Sequence, residues 1–119
     1  MMKRATRRFP SGALRDHDHD KLDFDGCLSP AVIERFAQYM AAHRHLRDGS
    51  IRRDDNWQKG MPLDSFRKSA WRHFFDFWRL SRTSGSPDQI ERALCGVLFN
   101  IQGYLHEHLK SRGRTGSRK

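Results

Sequence analysis

The chain has 119 residues, and 36% of them are hydrophobic, which fits a small domain with a modest core rich in its eight Phe and three Trp. No apolar run approaches the roughly 20 residues needed to cross a bilayer, and the basic start Met1–Pro10 lacks the apolar stretch of a secretory signal, so a cytoplasmic location is expected. The formal charge of +9 sits at the ends: residues 1–16 carry five basic residues against one acid, and 105–119 again five against one. Positions 17–104, with 13 basic and 12 acidic residues, are close to neutral, so a dedicated nucleic-acid platform is excluded. The tails can add only weak, salt-sensitive attraction to nucleic acid.

In chain order, residues 1–10 read as a disordered basic arm, and residues 11–28 as an extended or turn-rich lead-in with Gly12, Gly26 and many acids. Within that lead-in, His17-Asp18-His19-Asp20 has metal-binding residue types, but adjacent ligands on one segment suit a solvated turn better than an organised site. Ser29-Pro30 supplies a helix start, serine as cap and proline in the first turn. Ile33, Phe36, Ala37 and Met40 follow at i, i+3, i+4 and i+7, and Asp48-Gly49-Ser50 ends the helix.

Residues 48–63 form a long polar loop with one aromatic, Trp57. A second helix opens at Asp64 or Ser65 and runs to about Arg82. It is apolar on most of its circumference, which points to a central place in a bundle. Ser86-Pro87-Asp88-Gln89 is a helix start with a capping box, and Ile90, Ala93, Leu94, Val97, Leu98, Ile101 and Leu105 hold the helical period beyond it. Gly113 and Gly116 end the order, leaving residues 110–119 as a basic tail. Cys95 falls in an apolar pattern and reads as a buried free thiol; Cys27 is far from it in sequence.

The expected fold class is therefore all-α: a small bundle of three main helices with one long polar loop, a single domain over residues 11–109. Three such helices bury their faces poorly alone, so a homodimer is the expected completion.

Several residues are candidates for chemistry. In the loop, Asn56 offers donor and acceptor, Trp57 a stacking surface and Lys59 a charge beside Gly60, which are components for holding a base and a phosphate. The alternative is a structural loop in which Trp57 plugs the end of the bundle. His73 and Asp76 share a helix face, and Asp88 and Glu91 repeat that spacing. Glu34 is the one carboxylate inside the first helix. Carboxylates from several helices can hold Mg²⁺ against phosphates, while Asp88 also suits a helix start and His73 a satisfied core position.

The lead-in Ser11-Gly12-Ala13-Leu14-Arg15-Asp16 with Lys21-Leu22-Asp23, the loop Asp55-Asn56-Trp57-Gln58-Lys59-Gly60-Met61-Pro62, Arg72-His73 and Asn100 together resemble the dATP/dGTP diphosphohydrolase N-terminal domain family of phages and bacteria. The resemblance spans residues 11–109 and implies likeness to MazG-like, all-α nucleotide pyrophosphohydrolases. These use Mg²⁺ and helix-borne carboxylates to split a deoxynucleoside triphosphate into monophosphate and pyrophosphate. Helix-face spacing and the loop match assign, for such a site, His73, Asp76 and Glu91 as catalytic, Glu34, Asp76 and Glu91 as Mg²⁺ ligands, and Asn56, Trp57, Lys59 and Asn100 as nucleotide contacts. The sequence departs from the pattern at Ala93 and Gly96, where a carboxylate or histidine is expected, and lacks a second glutamate beside Glu34. The alternative expectation is a catalytically silent phage or prophage accessory protein that binds nucleotide, nucleic acid or a protein.

Overall fold

The computed structural model describes residues 6–16 and 21–115, and most of them are helical. The segment His17-Asp18-His19-Asp20 lies outside the described residues. The chain divides at Pro30 into two compact units, Met1–Pro30 and Ala31–Lys119.

In the first unit, β1 (Thr6–Arg8) pairs antiparallel with β2 (Leu14–Asp16), Arg7 opposite Arg15. This differs from the disordered arm expected over residues 1–10. The turn explains it: Pro10 follows Phe9, whose carbonyl accepts from Gly12 N at 2.8 Å, and Gly12 takes φ +94°. Proline in second place and a left-handed glycine at the end make a hairpin connection that needs no long alternating strands. A further short helix, α1 (Phe24–Cys27), is capped by Asp23, whose carboxylate accepts from Gly26 N at 2.8 Å.

The second unit is built from α2 (Pro30–Ala42), a 3-10 turn (Asn56–Lys59), α3 (Leu63–Arg82) and α4 (Pro87–Thr115). The three helices stand where the periodicity placed them. The capping box before α4 is present in both directions: Ser86 N donates to Gln89 Oε1 at 2.9 Å and Gln89 N to Ser86 Oγ at 3.1 Å. α4 runs further than expected, because Gly113 lowers helix propensity by only about 1 kcal/mol, too little to stop an established helix. No helix among the described residues is long and apolar enough to cross a membrane.

α3 and α4 form the central pair. Phe66, only 1% exposed, occupies the space that a side chain at Gly103 would fill, and His73 does the same at Gly96. Seven residues forward on α3 correspond to seven backward on α4, so the helices run antiparallel and approach closely at two notches. α2 docks through Arg35, whose Nε meets Glu91 at 2.8 Å and whose Nη2 meets Asp88 at 3.2 Å. On α2 the buried residue is Tyr39, whereas Ile33 of the expected stripe is half exposed. The buried hydrophobic residues are Tyr39, Trp57, Phe66, Ala93 and Cys95, a small set that leaves much of α3 and α4 uncovered. Cys95 is the buried free thiol that its position foretold, and Cys27 is exposed.

Candidate functional site

α2 ends at Ala42, earlier than the fading stripe suggested, and the chain then doubles back on itself. Asp48 organises this reversal by accepting from both Ser50 N (2.9 Å) and Ser50 Oγ (2.6 Å), which also holds its carboxyl below the usual range. Gly49 takes φ +89°, Leu46 N donates to Ser50 O, and His45 bridges Ile51. An Asx-type turn with glycine in the left-handed region is what an Asp-Gly-Ser sequence favours. The result is a narrow ribbon in which Arg52 N donates to Arg44 O at 2.9 Å, setting two arginines side by side.

Three guanidiniums of this segment are held through Nε. Arg44 Nε meets Asp54 at 3.3 Å, Arg52 Nε donates to His43 O at 3.0 Å, and Arg53 Nε meets Asp55 at 3.1 Å. The Arg53 guanidinium hydrogen-bonded to Asp55 holds that carboxyl below its ordinary value. Anchoring by Nε restrains the guanidinium plane and leaves the terminal N–H groups, a type of donor that suits carboxylate and phosphate oxygens.

Trp57 then seats the loop on the bundle. It is buried, edge-on to Phe99 (centroids 6.1 Å, 84°) and to His106 (4.9 Å, 70°), both on α4. In this position the ring anchors the loop, as the bundle-plug alternative expected.

Between the loop, α2, α3 and α4 lies a cavity of about 240 Å³. Arg44, Arg52, Arg53, His43 and His73 line it, with Asp54 as the one carboxylate, and Asn56, Trp57 and Asn100 complete the polar side. Asn100, 3% exposed, donates from Nδ2 to Gly96 O at 2.8 Å, which fixes its amide one turn along α4. His73 has its pKa lowered, first by burial, with Arg72 and His43 adding to the effect and Asp76 opposing it. Burial disfavours the charged imidazolium.

Of the residues singled out from sequence, Asn56, Trp57, His73 and Asn100 come together on this cavity. Lys59 does not line it; the cationic side is furnished by Arg44, Arg52 and Arg53, which sequence reasoning missed. Their signal was the Asp48-Gly49-Ser50 turn, since a reversal centred there brings 44 opposite 52. The proposed metal carboxylates are engaged or placed elsewhere. Asp76 meets Arg79 at 3.6 Å and borders a neighbouring hollow with His73, while Glu91 holds Arg35 and Glu34 is exposed on α2. Among the described residues no three His, Cys, Asp or Glu gather into a metal-holding group. The departure at Gly96 has a steric reason: a Cβ there would overlap the His73 ring. Ala93 is likewise buried, where a carboxylate would lose its hydration. Compared with family models, curated proteins and solved structures, the chain matches none.

Proposed function

We propose that this protein binds a nucleotide, a deoxynucleoside triphosphate by the likeness of its loop and lead-in, with the phosphates on Arg44, Arg52 and Arg53. The observation that carries this reading is the charge of the cavity wall: three oriented guanidiniums and two histidines face one carboxylate. A concave site of this size suits a mononucleotide's phosphate end better than a duplex, which needs an extended basic surface. Asn56 and Asn100 offer the paired donors and acceptors that a base or sugar requires. Trp57 contributes as the anchor that positions Asn56.

Binding is the part of the reading with structural support. Hydrolysis to monophosphate and pyrophosphate rests on the family likeness alone, because the carboxylates that would hold Mg²⁺ are tied to arginines or stand apart. Calorimetric titration of the full chain with each deoxynucleoside triphosphate, with and without Mg²⁺, tests the reading, alongside an assay for released pyrophosphate. Saturable binding that Arg52→Gln weakens supports it. No heat and no thermal shift with any of these nucleotides, in either condition, overturns it. Pyrophosphate release that survives Asp76→Asn and Glu91→Gln would place the chemistry on other residues.

A further inference from the structure

We propose that His43 is the general base for hydrolysis at the polar cavity, taking the proton of a water that attacks the α-phosphorus of a triphosphate held on Arg44, Arg52 and Arg53. The inference rests on the nucleotide reading above, together with the hydrolysis that its family likeness carries, and assigns the group that activates water. His43 borders the cavity beside these arginines. Its Nδ1 lies 2.9 Å from Tyr39 O. A carbonyl oxygen only accepts, so in the neutral ring the proton is on Nδ1 and the lone pair on Nε2. The imidazole also packs on the ring of Tyr39, with centroids 4.2 Å apart and planes tilted by 39°. Tyr39 is only 8% exposed, which makes it a firm support. One nitrogen is thus spent on the backbone of α2 and one face on a buried ring, and Nε2 remains for whatever enters the cavity. A base oriented through its second nitrogen is the arrangement that general-base histidines share.

The same residue also holds a phosphate anchor. His43 O accepts from Arg52 Nε at 3.0 Å, and Arg52 N donates to Arg44 O at 2.9 Å. The imidazole and two of the guanidiniums are therefore tied to one another through neighbouring backbone. A fixed spacing between base and anion clamp lets a bound phosphate meet an activated water without further rearrangement. The other titratable groups of the cavity suit the role less. Asp54 meets Arg44 at 3.3 Å. His73 lies by its Nδ1 edge against Gly96, and no hydrogen bond among the described residues sets which of its nitrogens carries the proton. In the step, the water oxygen bonds to the α-phosphorus as its proton passes to His43 Nε2. The bond from that phosphorus to the α–β bridging oxygen breaks, and pyrophosphate leaves with the electron pair. The arginines offset the charge that gathers on it, and the imidazolium then gives its proton to solvent.

Turnover of each deoxynucleoside triphosphate by the full chain, with Mg²⁺ present, is measured as pyrophosphate release, and Kd by calorimetry. His43→Asn keeps a donor for Tyr39 O and removes the base, so kcat should fall roughly 10²–10⁴-fold. Kd should stay unchanged, in contrast to Arg52→Gln. Added imidazole should restore turnover to His43→Ala, which a purely structural role would not allow. A nucleotide that binds and is never hydrolysed overturns the inference and leaves the binding reading standing, whereas no binding at all overturns both. Turnover that survives His43→Asn overturns the inference as well, as does a loss matched by an equal loss of affinity. Should His43→Asn lower the unfolding midpoint, His43→Gln and the imidazole rescue decide in its place, and absence of rescue overturns the inference.

Discussion

The two sides of the α3–α4 pair are built from the same two helices and could hardly differ more. Toward α2 and the loop, Ser69, His73, Phe99 and Asn100 face a cavity ringed by guanidiniums. Toward the other side, Trp71, Phe74, Val97 and Ile101 face a largely apolar groove with Arg67 as its one charged residue. Polar side chains there are fixed by named bonds, Asn100 to Gly96 O and Arg52 to His43 O, while the apolar rings lack a covering layer. One side has polar groups held by their neighbours, the other apolar rings open to solvent.

The largest effect tests what both sides share. Phe66 underlies the groove and fills the Gly103 notch, so Phe66→Ala should cost about 3–5 kcal/mol in denaturant unfolding and damage both sides together. Loss confined to one side would show that the pair is not a common scaffold. Next comes a change meant to touch the cavity alone. Arg52→Gln should cost about 1.5–3 kcal/mol in ligand binding, or roughly 10–100-fold in Kd, with the unfolding midpoint little changed. Smaller again, Ser86→Ala removes the capping box at about 1 kcal/mol of stability and should leave both surfaces alike.

The smallest effect is one of pH. Burial lowers the folded pKa of His73 below the unfolded value of about 6.5, so the unfolded chain binds the proton more tightly. Its contribution is present above that unfolded value and is lost as pH falls through it towards the lower folded pKa. Unfolding curves for the parent and His73→Gln should diverge in that window and run parallel above it. An anion in the cavity would raise the same pKa, so nucleotide affinity should grow as pH falls through this range, and a flat profile would remove His73 from the ligand's surroundings.

How much of this was legible in the sequence depended on the range of the interactions. The helix starts were readable because Ser86 and Gln89 satisfy each other within four residues. The all-α class followed from periodicity, and the unburied faces from the short chain. The hairpin at Phe9–Ala13 escaped notice because three-residue strands leave no alternation to see. Tyr39 was missed since the burial of α2 is set by what it packs on, and its apolar stripe points partly to solvent. The cavity's arginines are a tertiary fact: Arg44 and Arg52 are eight apart, and only the turn at Asp48 makes them neighbours. Lys59, beside the most distinctive motif, drew the attention that geometry gives to them.

The two glycine notches have a consequence for motion. Phe66 and His73 are lodged two helical turns apart on α3, against Gly103 and Gly96 at the same separation on α4. Sliding one helix past the other by a single turn would drive both rings out of their seats and onto positions that carry side chains, such as Phe99 and His106. The pair is therefore locked against shear, with two pins rather than one. Any opening of the cavity to admit a ligand has to come from α2, the ribbon or the 3-10 turn, while α3 and α4 stay in register.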